Sequence, residues 1–293
     1  MTPIEGTRGT ATTEAALVSA AIFWGLNFAA TKYAAGEVSP LVFVALRFAA
    51  GGTLLYAILR VLEPKSRLAR RDLLPMAALG CFGVALAQTG FTFGLSLTSA
   101  ASTGLIFATA PVWGMLLGSV FGFERPTGRG ILGVGLSVAG VAAVVSGASG
   151  GQSSLTGDLV VLVAAVCVGA YTVFSMSLLQ RYTPLAVATY PALFGAPVLL
   201  LLSSPQLAEV GWGSVGWGPV LAVGYAAVFA TAYAFAVWQR GISRIGANRV
   251  LVYQYLITLV GVLSGVVFFG ETLGWAKILG GIVILLGVSL ARR

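Results

Sequence analysis

The chain has no histidine, only nine acidic residues and only two cysteines among its 293 positions. Each shortage excludes something. Without histidine, the commonest metal ligand and the usual acid–base group near neutral pH are both missing. Cys81 and Cys167 stand far apart in apolar runs and form no CxxC. They read as small hydrophobes, not as a disulfide or a metal site. No Walker sequence is present, so ATP is not the expected energy source. Gly128-Arg129-Gly130-Ile131-Leu132-Gly133 has the spacing of a dinucleotide loop. No strand precedes it and it opens an apolar helix, so the match reads as chance. No cofactor and no metal are expected. The apolar runs also lack a nucleophile–base pair, which leaves an intramembrane enzyme as a poor reading.

Charge is the largest shortage. Charged residues make up 9% of the chain, against about 25% in ordinary soluble domains. A surface with so little charge must face lipid. What is present agrees: 58% of residues are hydrophobic and the mean hydropathy is +0.95. A helix needs roughly 20 apolar residues to cross a bilayer. Ten such runs can be read, at 15–34, 39–62, 73–95, 99–123, 130–147, 159–179, 184–204, 215–238, 246–269 and 274–291. The runs are too long and continuous for barrel strands, which alternate over about ten residues. The first is too long and too weakly basic at its start for a signal peptide. The fold class expected is therefore all-α integral membrane, with ten transmembrane helices.

The net charge of +8 does not imply nucleic acid. With the N-terminus inside, 14 of the 17 Lys and Arg fall on cytoplasmic segments. These are Arg8, Arg60, Lys65, Arg67, Arg70, Arg71, Arg125, Arg129, Arg181, Arg240, Arg244, Arg249, Arg292 and Arg293. Only Lys32 and Lys277 are left at external ends, and Arg47 falls inside the second run. By the positive-inside rule both termini are cytoplasmic, which requires an even number of spans. The expected location is a bacterial inner membrane.

The chain also repeats. A shift of 147 residues gives 16 identities over residues 83–143 without a gap, among them Gly114/Gly261, Gly118/Gly265, Glu124/Glu271 and Gly140/Gly287. Ser39-Pro40-Leu41 matches Thr183-Pro184-Leu185 at a slightly different offset. The expected units are 1–147 and 148–293, each of five helices. Five is odd, so the second unit enters the membrane inverted. Inverted repeats are characteristic of secondary transporters, which rock around a central site.

The residues resemble a known family. Phe23-Trp24-Gly25-Leu26-Asn27-Phe28 with Lys32 stands in the first run and Ala45-Leu46-Arg47-Phe48 in the second. The fourth begins Ser99-Ala100-Ala101-Ser102, passes Ala110-Pro111 and ends Phe121-Gly122-Phe123-Glu124-Arg125. The fifth carries Gly133 and Ala139-Gly140. This resembles the drug/metabolite transporter superfamily, specifically its EamA-type ten-helix members, and most of all the YddG-type exporters of aromatic and other neutral amino acids. The second unit departs from the pattern at Ala170-Tyr171-Thr172, at Pro191 where the first has Arg47, and at Asn248-Arg249. The resemblance implies export of a small metabolite by alternating access. It also implies a cavity lined by helices 1, 3, 4, 6, 8 and 9, with 5 and 10 peripheral. On those helices the polar and aromatic residues in mid-span are Trp24, Asn27, Gln88, Thr92, Phe107, Tyr171, Ser175, Trp238 and Gln254. They are the expected substrate-binding set, because polar groups at membrane depth face a bundle interior or a wet cavity. Arg47 is a candidate carboxylate anchor, though a structural role is favoured. Arg249 is a candidate gate, though a positive-inside role is favoured. Lys32 is expected to snorkel. Trp212, Trp217 and Trp275 are expected at the interfaces.

The nine acids are Glu5, Glu14, Glu37, Glu63, Asp72, Glu124, Asp158, Glu209 and Glu271, none in mid-span. Proton-coupled carriers normally keep such groups there. Facilitative uniport of an aromatic or other neutral amino acid is therefore expected. The alternatives are export of another neutral metabolite or a cationic drug, proton antiport, or a channel. Gly114-x-x-x-Gly118 and Gly261-x-x-x-Gly265 are expected to pack helices within one chain, and a monomer is expected.

Overall fold

The computed structural model describes residues 3–121, 128–146, 154–250 and 253–291. The end of the Phe121–Arg125 motif lies outside these residues, as do Arg292 and Arg293. The side chains of Arg8 and Asn248 are likewise not described. Among the described residues the chain is helical, with no strand. In chain order the helices are α1 (Pro3–Ala34), α2 (Pro40–Leu62), α3 (Arg70–Leu97), α4 (Ala100–Val120) and α5 (Gly128–Ser146). There follow α6 (Leu155–Leu179), α7 (Pro184–Glu209), α8 (Trp217–Ile245), α9 (Tyr253–Phe269) and α10 (Trp275–Ala291).

The helix starts are written in the sequence. Ser39 and Thr183 each cap a helix, with their hydroxyls accepting from the N–H of Val42 and Ala186. Proline follows each, at a position whose N–H would be unpaired in any case. That is the physical content of the repeated Ser/Thr-Pro-Leu. Ser99 and Ser154 cap α4 and α6 in the same way. Pro111 breaks α4 after Phe107, and the chain resumes the helix at Ala110. Thr109 bridges the break, donating to the Ile106 carbonyl at 2.6 Å.

Among the described residues eight helices are long and apolar enough to cross a membrane, α1 to α8. Two further apolar stretches are shorter, Tyr253–Phe269 and Trp275–Gly287. The ninth run was expected to start at 246. Gly246, at φ +83°, ends α8; the chain is helical at Ala247–Val250 and again in α9, and residues 251 and 252 between them lie outside the described residues. Only glycine takes that φ without strain. The eighth run was expected to end at Trp238, yet α8 continues to Ile245. Gln239 looked like the first residue outside the membrane. It is fully buried and donates to the Tyr171 hydroxyl at 2.9 Å.

Two π-helical segments lie inside the helices, Gly80–Leu86 in α3 and Ala226–Tyr233 in α8. They fall on one another under the 147-residue shift. α2 packs on the second and α7 on the first. α5 and α10 pack mainly on each other. Gly140 and Gly280 face each other's backbone there, with space for a Cβ at neither. Gly114 touches Gly169 on α6, and Gly261 lies under the Phe28 ring. The glycine pairs therefore serve packing within the chain.

Candidate substrate cavity

Between α1, α3, α4, α6, α8 and α9 lies a cavity of about 70 Å³. Its walls carry Trp24, Asn27 and Phe28 from α1, Gly83, Gln88 and Phe91 from α3, and Phe107 from α4. Val168, Tyr171 and Thr172 come from α6, Phe235 and Trp238 from α8, and Gln254 and Ile257 from α9. α2 adds Arg47. Among the described residues α5 and α10 add nothing.

The aromatic wall is continuous. Trp24 meets Trp238 and Phe235 edge-on, at 5.0 and 5.5 Å between centroids. Phe91 stacks between Phe28 and Phe107, at 4.9 and 5.2 Å. Such edge-to-face contacts fix ring orientation as well as burying area. Trp24 donates its indole N–H to the Ala230 carbonyl at 2.7 Å. Ala230 belongs to the π-helical part of α8. Tyr171 lies against Gly83, where a Cβ would come within 2.2 Å of the ring.

The polar atoms are few and under-bonded. Asn27 donates to Thr31 at 3.2 Å, which leaves its Oδ1 buried without a partner. Gln254 Nε2 and Arg47 Nη1 are also buried without partners. Arg47 otherwise donates from Nε to Thr231 at 2.8 Å and from Nη2 to the Ala230 carbonyl at 3.3 Å. A buried polar group without a partner costs about 1–3 kcal/mol. Each belongs to a residue of the cavity wall, so a ligand that reaches it would relieve that cost.

Seven of the nine residues expected from sequence line this cavity: Trp24, Asn27, Gln88, Phe107, Tyr171, Trp238 and Gln254. Arg47 joins them. Thr92 and Ser175 do not. Thr92 is fully buried off the cavity wall, and Ser175 is buried with its hydroxyl donating to the Thr172 carbonyl. Arg249 is exposed and lies off the cavity wall, as a positive-inside residue would. Phe28, Phe235, Thr172 and Ile257 were not singled out, because an apolar side chain in an apolar run carries no signal of its own.

Both ends of the bundle are tied by charge. Where α1 finishes, Lys32 pairs with Glu271. Glu271 also accepts the first N–H groups of α4, from Ala100 at 2.8 Å and Ala101 at 3.1 Å. Burial pushes its carboxyl up, but those three hydrogen bonds outweigh it and hold Glu271 below the usual carboxylate range. Lys277 donates to Ser99 and Asp158 accepts from Thr98 at the same end. At the opposite end Asp72 accepts from Arg181 and Tyr182, and Thr183 donates to Glu63. Burial and the bond to Asp72 push the Tyr182 phenol up. These contacts join the end of α2 and the start of α3 to the segment between α6 and α7. Trp212, Trp217 and Trp275 are exposed near helix ends.

Comparison with known proteins gives the same picture. A sequence profile of the EamA-like transporter family matches residues 12–146 and again residues 155–293. An "Uncharacterized transporter" of Archaeoglobus fulgidus is 28% identical over 92% of this chain and 95% of its own. A "Probable terminal-alkyne amino-acid exporter" of Streptantibioticus cattleyicolor is 30% identical, over 95% and 92%. A "Probable amino-acid metabolite efflux pump" of Salmonella typhimurium is 25% identical, over 92% and 91%. A crystal structure superposes with a TM-score of 0.67 at 21% identity over 96% of both chains, a likeness of fold.

Proposed function

Because the chain belongs to the EamA-like transporter family, and so is a multi-pass membrane transporter and not an enzyme, we propose that it exports aromatic and other neutral amino acids. That is the substrate class of the YddG-type exporters it resembles. The observation that carries the reading is the cavity: an aromatic wall around three buried, unpaired polar atoms, Asn27 Oδ1, Gln254 Nε2 and Arg47 Nη1. An amino acid offers both an acceptor and a donor to such atoms, and an aromatic side chain suits the wall. Two relatives carry amino-acid export in their names, which supports the same class.

In this reading all ten helices cross the membrane as two inverted five-helix units. Both termini face the cytoplasm and the chain works as a monomer in a bacterial inner membrane. Two features support the inverted units: the match of the profile in two stretches, and the two π-helical segments 147 residues apart. The Lys32–Glu271 pair and the Asp72–Arg181 pair then close the outer and inner ends, and alternating access opens one at a time. Among the described residues no Asp, Glu or His lines the cavity. Transport is therefore uniport, down the substrate gradient.

Uptake of labelled phenylalanine into proteoliposomes, with and without a pH gradient, tests this. Saturable, counterflow-competent uptake that ignores the gradient is expected. Flux that does not saturate would mean a channel, and strong gradient dependence would mean proton antiport.

A further inference from the structure

Arg47 is a charge that the related helix contact made from the second unit does without. It is fully buried against α8, at 1% exposure, and burying a cation at membrane depth is expensive. A structural explanation is that it holds α2 to α8, through Thr231 and the Ala230 carbonyl. The chain contains its own control for that explanation. Pairing Ser39-Pro40-Leu41 with Thr183-Pro184-Leu185 puts Gly51 on Gly195 and Arg47 on Pro191. The 147-residue shift puts Ala227 on Gly80 and Thr231 on Val84.

The contacts obey the same pairing. A Cβ on Gly51 would meet the Ala227 carbonyl at 2.8 Å and the Thr231 side chain at 2.7 Å. A Cβ on Gly195 would meet the Gly80 carbonyl at 2.8 Å and the Val84 side chain at 2.7 Å. The two helix contacts are thus built alike, each against a π-helical segment. One contains Arg47 and Thr231, the other Pro191 and Val84. The second closes with no cation and no hydroxyl, so neither is needed to bring the helices together.

The difference between the two contacts lies at the cavity. Arg47 lines it, and its Nη1 is buried with no partner. We infer that Arg47 is a specificity-determining residue that binds the carboxylate of the substrate. Thr231 and the Ala230 carbonyl take Nε and Nη2 and aim the guanidinium, which leaves Nη1 for the ligand. Trp24 shares the Ala230 carbonyl, so the ring that meets the substrate's side chain is registered to the group that holds its charge. Asn27 Oδ1, one turn from Trp24, accepts from the ammonium. The inference rests on the amino-acid reading for the second charge only. The carboxylate assignment stands on Arg47 itself.

Ligand-induced thermal stabilisation of the purified full chain in detergent tests it. Three probes are used: phenylalanine, 3-phenylpropanoate, which has the carboxylate alone, and phenethylamine, which has the ammonium alone. Phenylalanine and 3-phenylpropanoate are expected to bind and phenethylamine to bind about 10- to 100-fold more weakly, the range of a charge-assisted bond. Arg47→Gln should remove that discrimination. Should Arg47→Gln misfold, the paired variant Arg47→Met with Thr231→Val copies the apolar character of the related contact. It is expected to fold, and to lose the carboxylate ligands. If phenethylamine binds as well as phenylalanine, if neither carboxylate probe binds, or if either variant keeps the discrimination, the inference is overturned. Binding of 3-phenylpropanoate through Arg47 without transport of phenylalanine would leave the carboxylate site standing and sink the amino-acid reading instead.

Discussion

Gly83→Ala is a small change with a worked consequence. The added Cβ would lie 2.2 Å from Tyr171 Cδ2, 2.7 Å from Cγ and 2.8 Å from Cβ. Ordinary contact begins near 3.4 Å, so the ring must retreat by roughly 1.2 Å. Turning the ring about its own axis does not relieve the clash, because the Tyr171 Cβ is also too close. The side chain must move as a whole, and it is fixed at its far end by the bond from Gln239 at 2.9 Å. Gln239 Oε1 already lacks a partner, so losing that bond leaves the amide with none. Overpacking costs about 1–3 kcal/mol, and the lost bond about 1 kcal/mol more. Alanine's better helix propensity returns up to about 1 kcal/mol. The expected net loss is about 1–3 kcal/mol, read as a lower melting temperature in detergent. The displaced phenol also narrows the cavity, so counterflow of phenylalanine should fall more than that of alanine. Adding Tyr171→Ala makes room for the new methyl. The double variant should therefore be more stable than the sum of the singles by roughly 1–3 kcal/mol. Additive effects, or wild-type melting and transport for Gly83→Ala alone, would refute the placement of Tyr171.

Other outcomes follow from the same geometry. Trp24→Phe keeps the ring but removes the N–H bonded to Ala230, and is expected to weaken phenylalanine affinity several-fold; Trp24→Ala removes both edge contacts and should abolish saturable uptake. Glu271→Gln removes the charge shared by Lys32 and the start of α4, with an expected cost of about 1–3 kcal/mol. The folded pKa of Glu271 is lowered, so its stabilisation is complete above the unfolded carboxylate value near 4.3 and is lost only as pH falls through the lower folded value. Melting temperature should then show no pH dependence arising from Glu271 between about pH 6 and 8. Gly140→Val places a side chain against the Gly280 backbone, where a Cβ already meets the carbonyl at 2.7 Å. It should destabilise the chain by more than 3 kcal/mol, while the protein that does fold keeps the wild-type KM, because α5 and α10 do not touch the cavity.

The helices were legible because crossing a bilayer demands long apolar runs, and few other constraints act on composition. Five cavity residues were legible for a related reason: an amide or indole inside such a run must face something polar. Tyr171 and Phe107 were legible as the counterparts of Trp24 and Gln254 under the 147-residue shift. Thr92 and Ser175 satisfied the same rule and still missed the cavity. Their faces depend on helix rotation, which packing decides; at the level of Thr92 the wall belongs to Phe91, locked between Phe28 and Phe107. The π-helical segments had no local signal. Each lies where a glycine of the facing helix, Gly51 or Gly195, presses on its backbone. Gln239 was misplaced because hydropathy counts a glutamine as an end of span, although a single bond to Tyr171 suffices to bury it. Glu271 was read only as an acid at a helix end. Its partners, the Ala100 and Ala101 N–H groups, are some 170 residues away in the chain.

The central claim is that the transported molecule sits in the cavity walled by Trp24, Tyr171 and Trp238. The direct measurement is substrate protection of a cysteine placed there. Gln88 is half-buried on the wall, and the exposed native Cys81 can first be replaced by serine. In that background Gln88→Cys is labelled with a small thiol reagent, with and without the amino acid the protein transports. Labelling slowed in proportion to occupancy, at concentrations near the transport KM, is the predicted result. Labelling unchanged at saturating substrate would place the site elsewhere and contradict the account.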